Sequence, residues 1–529
     1  MVTAPTAAPT LAVSRPMIDR YLVLTGAILV QLILGTIYGY SVFWQPLEEN
    51  LWPALMTKAQ IEQMDALPAD VLIIEDEAQR QSIRASRLGL LKYAFAICLL
   101  SFATAMVFAG RLQDIKGPRF TAALGGVLLG LGFLIAGQMN HKITFYVCHA
   151  LLMGSAVVVV LLLFDALFKG VSRDQYPVLR YVPHGIVTVA IVVGMTLGNT
   201  YVSDTVEDRV FLLWTTVGLL AGVGVGYAYV CPIAALVKWF PQHKGLVSGI
   251  AVAGFGMGAY VFSNKNVFGA VGFIERYGIT SFFTVHALIA TVVVLIGAML
   301  LRNPPGTAAP ARTAVADTSW QELLRMPMFY VVWSMFFSGA LAGLMVISIL
   351  KPFAGDQLVS AAMAQTPALA DSIRAELVLK GATAVGVLAL FNAAGRVAWG
   401  LLSDRIGRTP AMTAMFAFQG ITLLLLITLH SEWQLAVGAA CVGFNFGGNF
   451  ALFPSLTADL FGARNFGANY GWVFTSYGVA GVIGVTVGNT ALEATGSYFA
   501  AFAIAAALCF VSAVLALLLS RRASAARAA

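Results

Sequence analysis

Arg396 stands inside an apolar run, eight residues before Asp404. Eight residues of helix cover roughly 12 Å, so a run that enters a bilayer at Asp404 carries the guanidinium close to the midplane. A cation at that depth costs about 2.5 to 3.5 kcal/mol on insertion scales, so it is expected to face a cavity and a counter-charge instead of lipid. Its planar pair of donors matches a carboxylate. The bland use of the same residue is a structural ion pair with Asp404 or with Asp165, which also falls inside a span.

A second constellation is written twice. Gly110-Arg111-Leu112-Gln113-Asp114-Ile115-Lys116-Gly117-Pro118-Arg119 returns as Gly400-Leu401-Leu402-Ser403-Asp404-Arg405-Ile406-Gly407-Arg408, and each copy sits between two long apolar runs. Glycines allow a tight turn, and the aspartate can cap a helix N-terminus and pair with basic residues across an interface. Gly110, Asp114, Lys116, Gly117 and Arg119, with Gly400, Asp404, Arg405, Gly407 and Arg408, are therefore the candidate gating residues.

The elements that must hold these groups are membrane helices. Of 529 residues 59% are hydrophobic and 11% charged, far from the roughly 45–50% apolar and 25% charged of soluble domains. Apolar runs of about 20 residues, the length a bilayer core demands, occur at 21–44, 90–110, 119–138, 143–168, 184–201, 210–236, 246–264, 279–301, 326–350, 382–402, 410–430, 433–455, 470–490 and 498–520. The expected fold is all-α and integral to the membrane, with about 14 spans. Counting loops gives 19 Lys and Arg against 7 Asp and Glu on one side, and 12 against 17 on the other. The positive-inside rule makes the basic side cytoplasmic and puts both termini there, in a cell (inner) membrane. The net charge of +7 is thus topology and implies no nucleic-acid partner.

The repeats divide the chain. Pro232, Gly245, Gly249 and Gly256 recur as Pro454, Gly467, Gly471 and Gly478, displaced by 222, whereas Asp114 and Asp404 are displaced by 290. The 68-residue difference lies between Asp114 and Pro232 and matches two extra spans. The expected organisation is a tail at 1–20, an N-terminal half at 21–301 with an inserted hairpin at about 140–207, a linker at 302–325, a C-terminal half at 326–520 and a tail at 521–529, giving twelve core helices plus the hairpin. Each half carries a long loop after its first core helix, at 45–89 and 351–381. The five cysteines lie in apolar runs without metal-ligand spacing, the six histidines never approach it, and no nucleotide loop or nucleophile motif occurs, so neither cofactor, metal nor enzyme chemistry is expected.

The doubled Gly-x-x-x-Asp turn between the second and third helix of a six-helix unit resembles the signature of the major facilitator superfamily. The first copy departs at Ile115, where that pattern has a basic residue, with Lys116 beside it. Gln31 to Tyr38, Lys238-Trp239-Phe240-Pro241, Ser248 to Gly256, Phe391 to Arg396 and Asn449 to Pro454 further resemble the oxalate/formate antiporter family and its monocarboxylate relatives. The resemblance implies two six-helix halves working by alternating access on small organic anions, chiefly carboxylates, as anion exchanger or proton symporter.

It also implies roles. The arginine of core helix 8, here Arg396, binds the substrate carboxylate. A lysine in core helix 11 of the oxalate antiporter falls on Tyr477, so one fixed charge favours a monocarboxylate such as lactate, pyruvate, glycolate or formate. The aspartate that monocarboxylate transporters carry four residues before the arginine is Asn392 here, which leaves His286, His149 and Asp165 as lone candidates for proton coupling. Gln31 and Tyr38 share a face of core helix 1, and with Tyr40, Tyr229, Trp399, Asn445 and Asn449 they complete the expected cavity. Lipid, the anion, and protons or a counter-anion are the expected partners. A drug-efflux pump of the same fold is the rival reading, disfavoured because its extra helices lie between the halves, its Gly-Pro motif is missing from Gly245 to Tyr260, and a cationic drug wants a buried acid. A transporter-like solute sensor is the other.

Overall fold

The computed structural model describes residues 15–62, 70–140, scattered positions between 154 and 187, and 206–263, 269–305, 317–366, 370–495 and 497–528. Twelve helices among these are long and apolar enough to cross a membrane, and they match the twelve core spans in order. The two spans of the expected hairpin lie almost wholly outside the described residues, as do His149 and Asp165.

In the N-terminal half, core helix 1 is Arg15–Leu34 continued by a tighter 3-10 segment Gly35–Phe43. Core helices 2 and 3 are Glu77–Lys116 and Pro118–Ala136. Core helix 4 runs from Val206 to Trp239 through a π-helical stretch at Trp214–Leu220. Core helices 5 and 6 are Lys244–Ser263 and Ile279–Leu300. In the C-terminal half, core helices 7 to 12 are Pro327–Gln365, Asp371–Ile406, Arg408–Leu426, Glu432–Phe461, Phe466–Thr495 and Phe499–Ala528. Core helix 1 starts at Arg15, inside the segment expected to be tail.

The charged turns demand glycine for a definite reason. Gly117 and Gly407, related by the 290-residue displacement, have φ of +88° and +96°, values that strain any residue with a Cβ. They reverse the chain between core helices 2 and 3 and between 8 and 9. On the same side, Arg302 pairs with Asp19, and Trp239 Nε1 donates to the Arg302 carbonyl at 2.7 Å. This face, which holds the linker, is called the linker side below.

Two seams join the halves. Core helix 5 packs on 8, and core helix 11 on 2, through glycines: a Cβ on Gly245 would strike the Gly400 carbonyl, one on Gly110 the Gly467 carbonyl, and one on Gly249 the Arg396 carbonyl. Small residues let membrane helices approach to backbone contact, where van der Waals packing replaces the missing hydrophobic drive.

The far side corrects the expectation of long loops. Residues 351–365 extend core helix 7 to 39 residues, and 371–381 begin core helix 8, which has 36; at 1.5 Å per residue these are about 58 and 54 Å long. The segments were too polar to read as spans, but they are rich in Ala and Leu, which favour helix. The described residues of the 45–89 stretch likewise form regular elements. It holds helices Trp44–Leu51 and Lys58–Glu62 and a parallel strand pair, β1 Ala54–Thr57 with β2 Val71–Ile74, and from Glu77 it is already core helix 2, N-capped by Asp76. Arg84 and Arg87 of that helix pair with the buried Glu48 at 3.1 and 3.8 Å, tying the cap to the N-terminal half.

Candidate functional site

Arg396 is fully buried, and its three nitrogens have three different fates. Nε donates to Asn392 Oδ1, one turn earlier, at 2.8 Å. Nη1 donates across the seam to the Val252 carbonyl of core helix 5 at 2.7 Å. Nη2 has no partner. No carboxylate pairs with Arg396 among the described residues; Asp404, the expected alternative partner, is taken by Arg408 at 2.6 Å. A buried, unpaired donor on a cation costs more than the roughly 1–3 kcal/mol of a neutral one, so the geometry holds one charge-assisted bond in reserve.

The walls are aromatic. Phe450 lies 4.4 Å and Phe255 5.8 Å from the guanidinium carbon, ring centroid to Cζ; cation–π contacts of this kind are worth about 2 kcal/mol when desolvated. Tyr38 and Tyr477, from opposite halves, meet hydroxyl to hydroxyl at 2.5 Å, and the Tyr38 ring stands edge-on to Phe255 at 4.9 Å. The hydroxyls of Tyr229 and Tyr470 are buried without partners, and both residues lie within electrostatic reach of Arg396. Gln31 is buried and donates to the Tyr229 carbonyl at 3.1 Å, leaving its own oxygen free.

Arg396, Asn392, Tyr38, Tyr477, Gln31 and Tyr229 thus come together, whereas other expected members do not. Trp399 packs against Phe444 and beside Gly448 of core helix 10, inside the C-terminal half. Asn449 donates to its own helix at Asn445 O and Phe446 O and abuts Gly339 of core helix 7, inside the C-terminal half. Asn445, one turn earlier, is buried with neither side-chain polar atom partnered. Tyr40 stacks on Phe95 at 6.0 Å within the N-terminal half. Phe255, Phe450 and Tyr470 were missed as wall residues; the first two lie in quoted motif stretches, where apolar side chains carried no signal of a polar site.

The gating residues form two related latches. Asp114 accepts the Gly467 and Ala468 amides at 3.2 and 2.8 Å, and Asp404 accepts the Gly245 and Leu246 amides at 3.0 and 2.8 Å. Each aspartate therefore caps the first turn of a helix in the other half, where the helix dipole favours an anion. The partner across the interface is backbone in both cases, not a basic side chain. Among the described residues, only the second latch adds ion pairs: Arg408 bridges Asp404 and Asp459, and Lys244 joins Asp459 at 2.6 Å. Proline occupies the position related to Arg408, namely Pro118. Lys116 and Arg405 are exposed, and Arg119 donates to the Leu301 carbonyl at 2.8 Å. Both latches join the two halves across the linker side.

His286 lies apart from Arg396, in an aromatic nest of Phe133, Phe262 and Phe282. Its Nε2 is 3.3 Å from Thr36 Oγ1 and its Nδ1 has no partner. No cluster of three or more His, Cys, Asp or Glu that could hold a metal occurs among the described residues.

Comparison with known proteins adds to this geometry. The family model described as the Major Facilitator Superfamily matches residues 358–529. The chain is 30% identical over 302 residues to YhjX, an uncharacterized MFS-type transporter of Escherichia coli K12, a match covering 56% of this chain and 70% of that one. It is also 30% identical over 348 residues to the oxalate:formate antiporter of Oxalobacter formigenes, covering 61% and 78%. Among solved structures, the proton:xylose symporter XylE superposes with a TM-score of 0.56 at 12% identity, over 94% of this chain and 95% of that one.

Proposed function

Since the chain belongs to the major facilitator superfamily, alongside the oxalate:formate antiporter, we propose that it is a secondary active transporter of small organic anions, selective for a monocarboxylate of the lactate, pyruvate or formate kind. The observation that carries this reading is the unpartnered Nη2 of Arg396, a single desolvated positive charge walled by aromatic rings and tyrosine hydroxyls. One carboxylate satisfies it: the anion accepts from Nη2 and from the hydroxyls of Tyr229, Tyr470 or the Tyr38–Tyr477 pair. A dianion would leave one charge uncompensated in the same pocket.

The two seams supply the moving parts. Releasing Asp114 from Gly467 and Ala468, and Asp404 from Gly245 and Leu246, frees the halves to rock around the central arginine, the general scheme of alternating access. We place the linker side in the cytoplasm, in line with its excess of Lys and Arg, in a cell (inner) membrane. Exchange against a second anion is the simpler coupling, because Asn392 cannot carry a proton; His286 is the alternative carrier if coupling is to protons.

The test is uptake of labelled lactate and labelled oxalate by the reconstituted chain, either with an inward proton gradient or with unlabelled acid preloaded. Lactate uptake that Arg396→Gln abolishes supports the reading, with the driving condition separating symport from exchange. Oxalate uptake in preference to lactate overturns the single-carboxylate selectivity, and the absence of both overturns the substrate class.

A further inference from the structure

The face of core helix 2 that meets core helix 11 can be followed from the linker side outward. Asp114 and Gly110 meet Gly467, Met106 meets Gly471, Ala103 meets Gly478, and Leu99 meets Gly481. Helical periodicity continues that stripe, since residue 92 lies seven before Leu99 and eleven before Ala103 and therefore within about 20° of both. The residue there is Lys92, and it is exposed. Outward from Asp114 the stripe is otherwise small or apolar.

A second contact, from another helix, orients the same side chain. Lys92 Nζ lies 5.3 Å from the ring centroid of Trp44, which directly follows the 3-10 end of core helix 1. Core helix 1 also supplies Tyr38 to the central site. Lys92 thus lies on the face of core helix 2 that meets core helix 11 farther in, and its ammonium rests beside the continuation of a helix that lines the pocket. The nearby acid of the cap, Glu48, is already paired with Arg84 and Arg87, and Lys92 makes no salt bridge among the described residues. Met106 is the 290-residue counterpart of Arg396, so Lys92, fourteen residues farther out, stands about 21 Å from the level of the guanidinium.

We propose that Lys92, held by Trp44, is a first capture site for the anion at the far-side mouth, separate from the central Arg396 site. A mouth charge with a low-dielectric wall concentrates anions where the pathway opens, and its effect falls with salt. The inference rests on the anion-transport reading above. Its chemistry, an exposed ammonium for a carboxylate, could equally engage a lipid phosphate, and the experiment separates the two.

Initial rates of labelled lactate uptake are measured for the wild type, Lys92→Gln, Lys92→Glu and Lys92→Arg, reconstituted in phosphatidylcholine alone and with added anionic lipid, at low and high salt. The expected result is a KM raised about fivefold by Lys92→Gln at low salt, raised further by Lys92→Glu, preserved by Lys92→Arg, and converging with the wild type at high salt with the maximal rate unchanged. Lactate uptake that requires Arg396 but is indifferent to Lys92 overturns the capture site alone. A change that appears only with anionic lipid assigns Lys92 to lipid phosphate and likewise overturns it. No uptake of lactate by the wild type overturns the monocarboxylate selectivity of the central reading and the lactate capture site with it.

Discussion

The hydroxyls of Tyr38 and Tyr477, 439 positions apart in the chain, meet at 2.5 Å and join the two halves beside Arg396. Core helix 1 delivers Tyr38 from nine residues of 3-10 helix, longer than the three or four residues such helices usually sustain. The overwound turn sets the direction of the Tyr38 side chain, and so whether the bridge forms.

The bridge is expected to act as a unit. Tyr38→Phe and Tyr477→Phe should each change lactate KM by about fivefold, the worth of one hydrogen bond, and the double variant should be little worse than either single one. Additive effects in that double-mutant cycle would show that the hydroxyls act independently.

Asn392 accepts from Arg396 without neutralising it. Asn392→Asp should place a carboxylate on Nε and lower anion capture by about tenfold or more, equivalent to roughly 1.4 kcal/mol, with helicity and expression retained. Binding competition on the purified chain reads this directly, and an unchanged KM would mean that the guanidinium does not meet the anion.

The two latches differ in strength. Asp404→Ala removes two amide contacts and an ion pair with Arg408, whereas Asp114→Ala removes two amide contacts only. Spin labels on the exposed Lys116 and Arg464 positions should therefore report a larger shift toward the open linker side for the first variant. Equal distance distributions would discount the Arg408 bridge.

The far-side cap depends on Glu48, whose side chain is 9% exposed while that of Arg87 is 8% exposed. Glu48→Ala leaves Arg87 with the Pro53 carbonyl at 3.0 Å but no counter-charge, a loss of about 3 kcal/mol or more for a buried pair. Hydrogen exchange should speed up in Ala54–Thr57 and Val71–Ile74 and stay slow in core helices 2 and 11.

Much of this architecture is legible from residue order alone, because a bilayer reduces the allowed backbone to helices of known length. The twelve core spans and the Gly117 and Gly407 turns follow from apolar runs and spacing. The displacement of 222 marks Gly245 and Gly467 as repeated positions, and that of 290 marks Asp114 and Asp404, but the expected partner of each aspartate was a basic side chain and not a backbone amide. What periodicity could not say is that the displaced sets would meet: Asp114 finds Gly467, and Asp404 finds Gly245, only when the halves pack face to face.

Direction around a helix was the weaker signal. Asn449 and Trp399 are polar-capable and sit near Arg396 in sequence, yet each turns into the C-terminal half, and the apolar Phe450 and Phe255 flank the charge instead. The stretch 351–381 read as loop because polarity is a proxy for leaving the membrane and says nothing of leaving the helix. Composition and spacing determined the solvent, the spans, the internal two-fold and the presence of Arg396 within a span, since each is a property of a single segment in lipid. The tertiary structure decided which face of each helix looks inward, which donor of Arg396 is left free and which backbone amides hold each aspartate, since those depend on contacts between segments hundreds of residues apart.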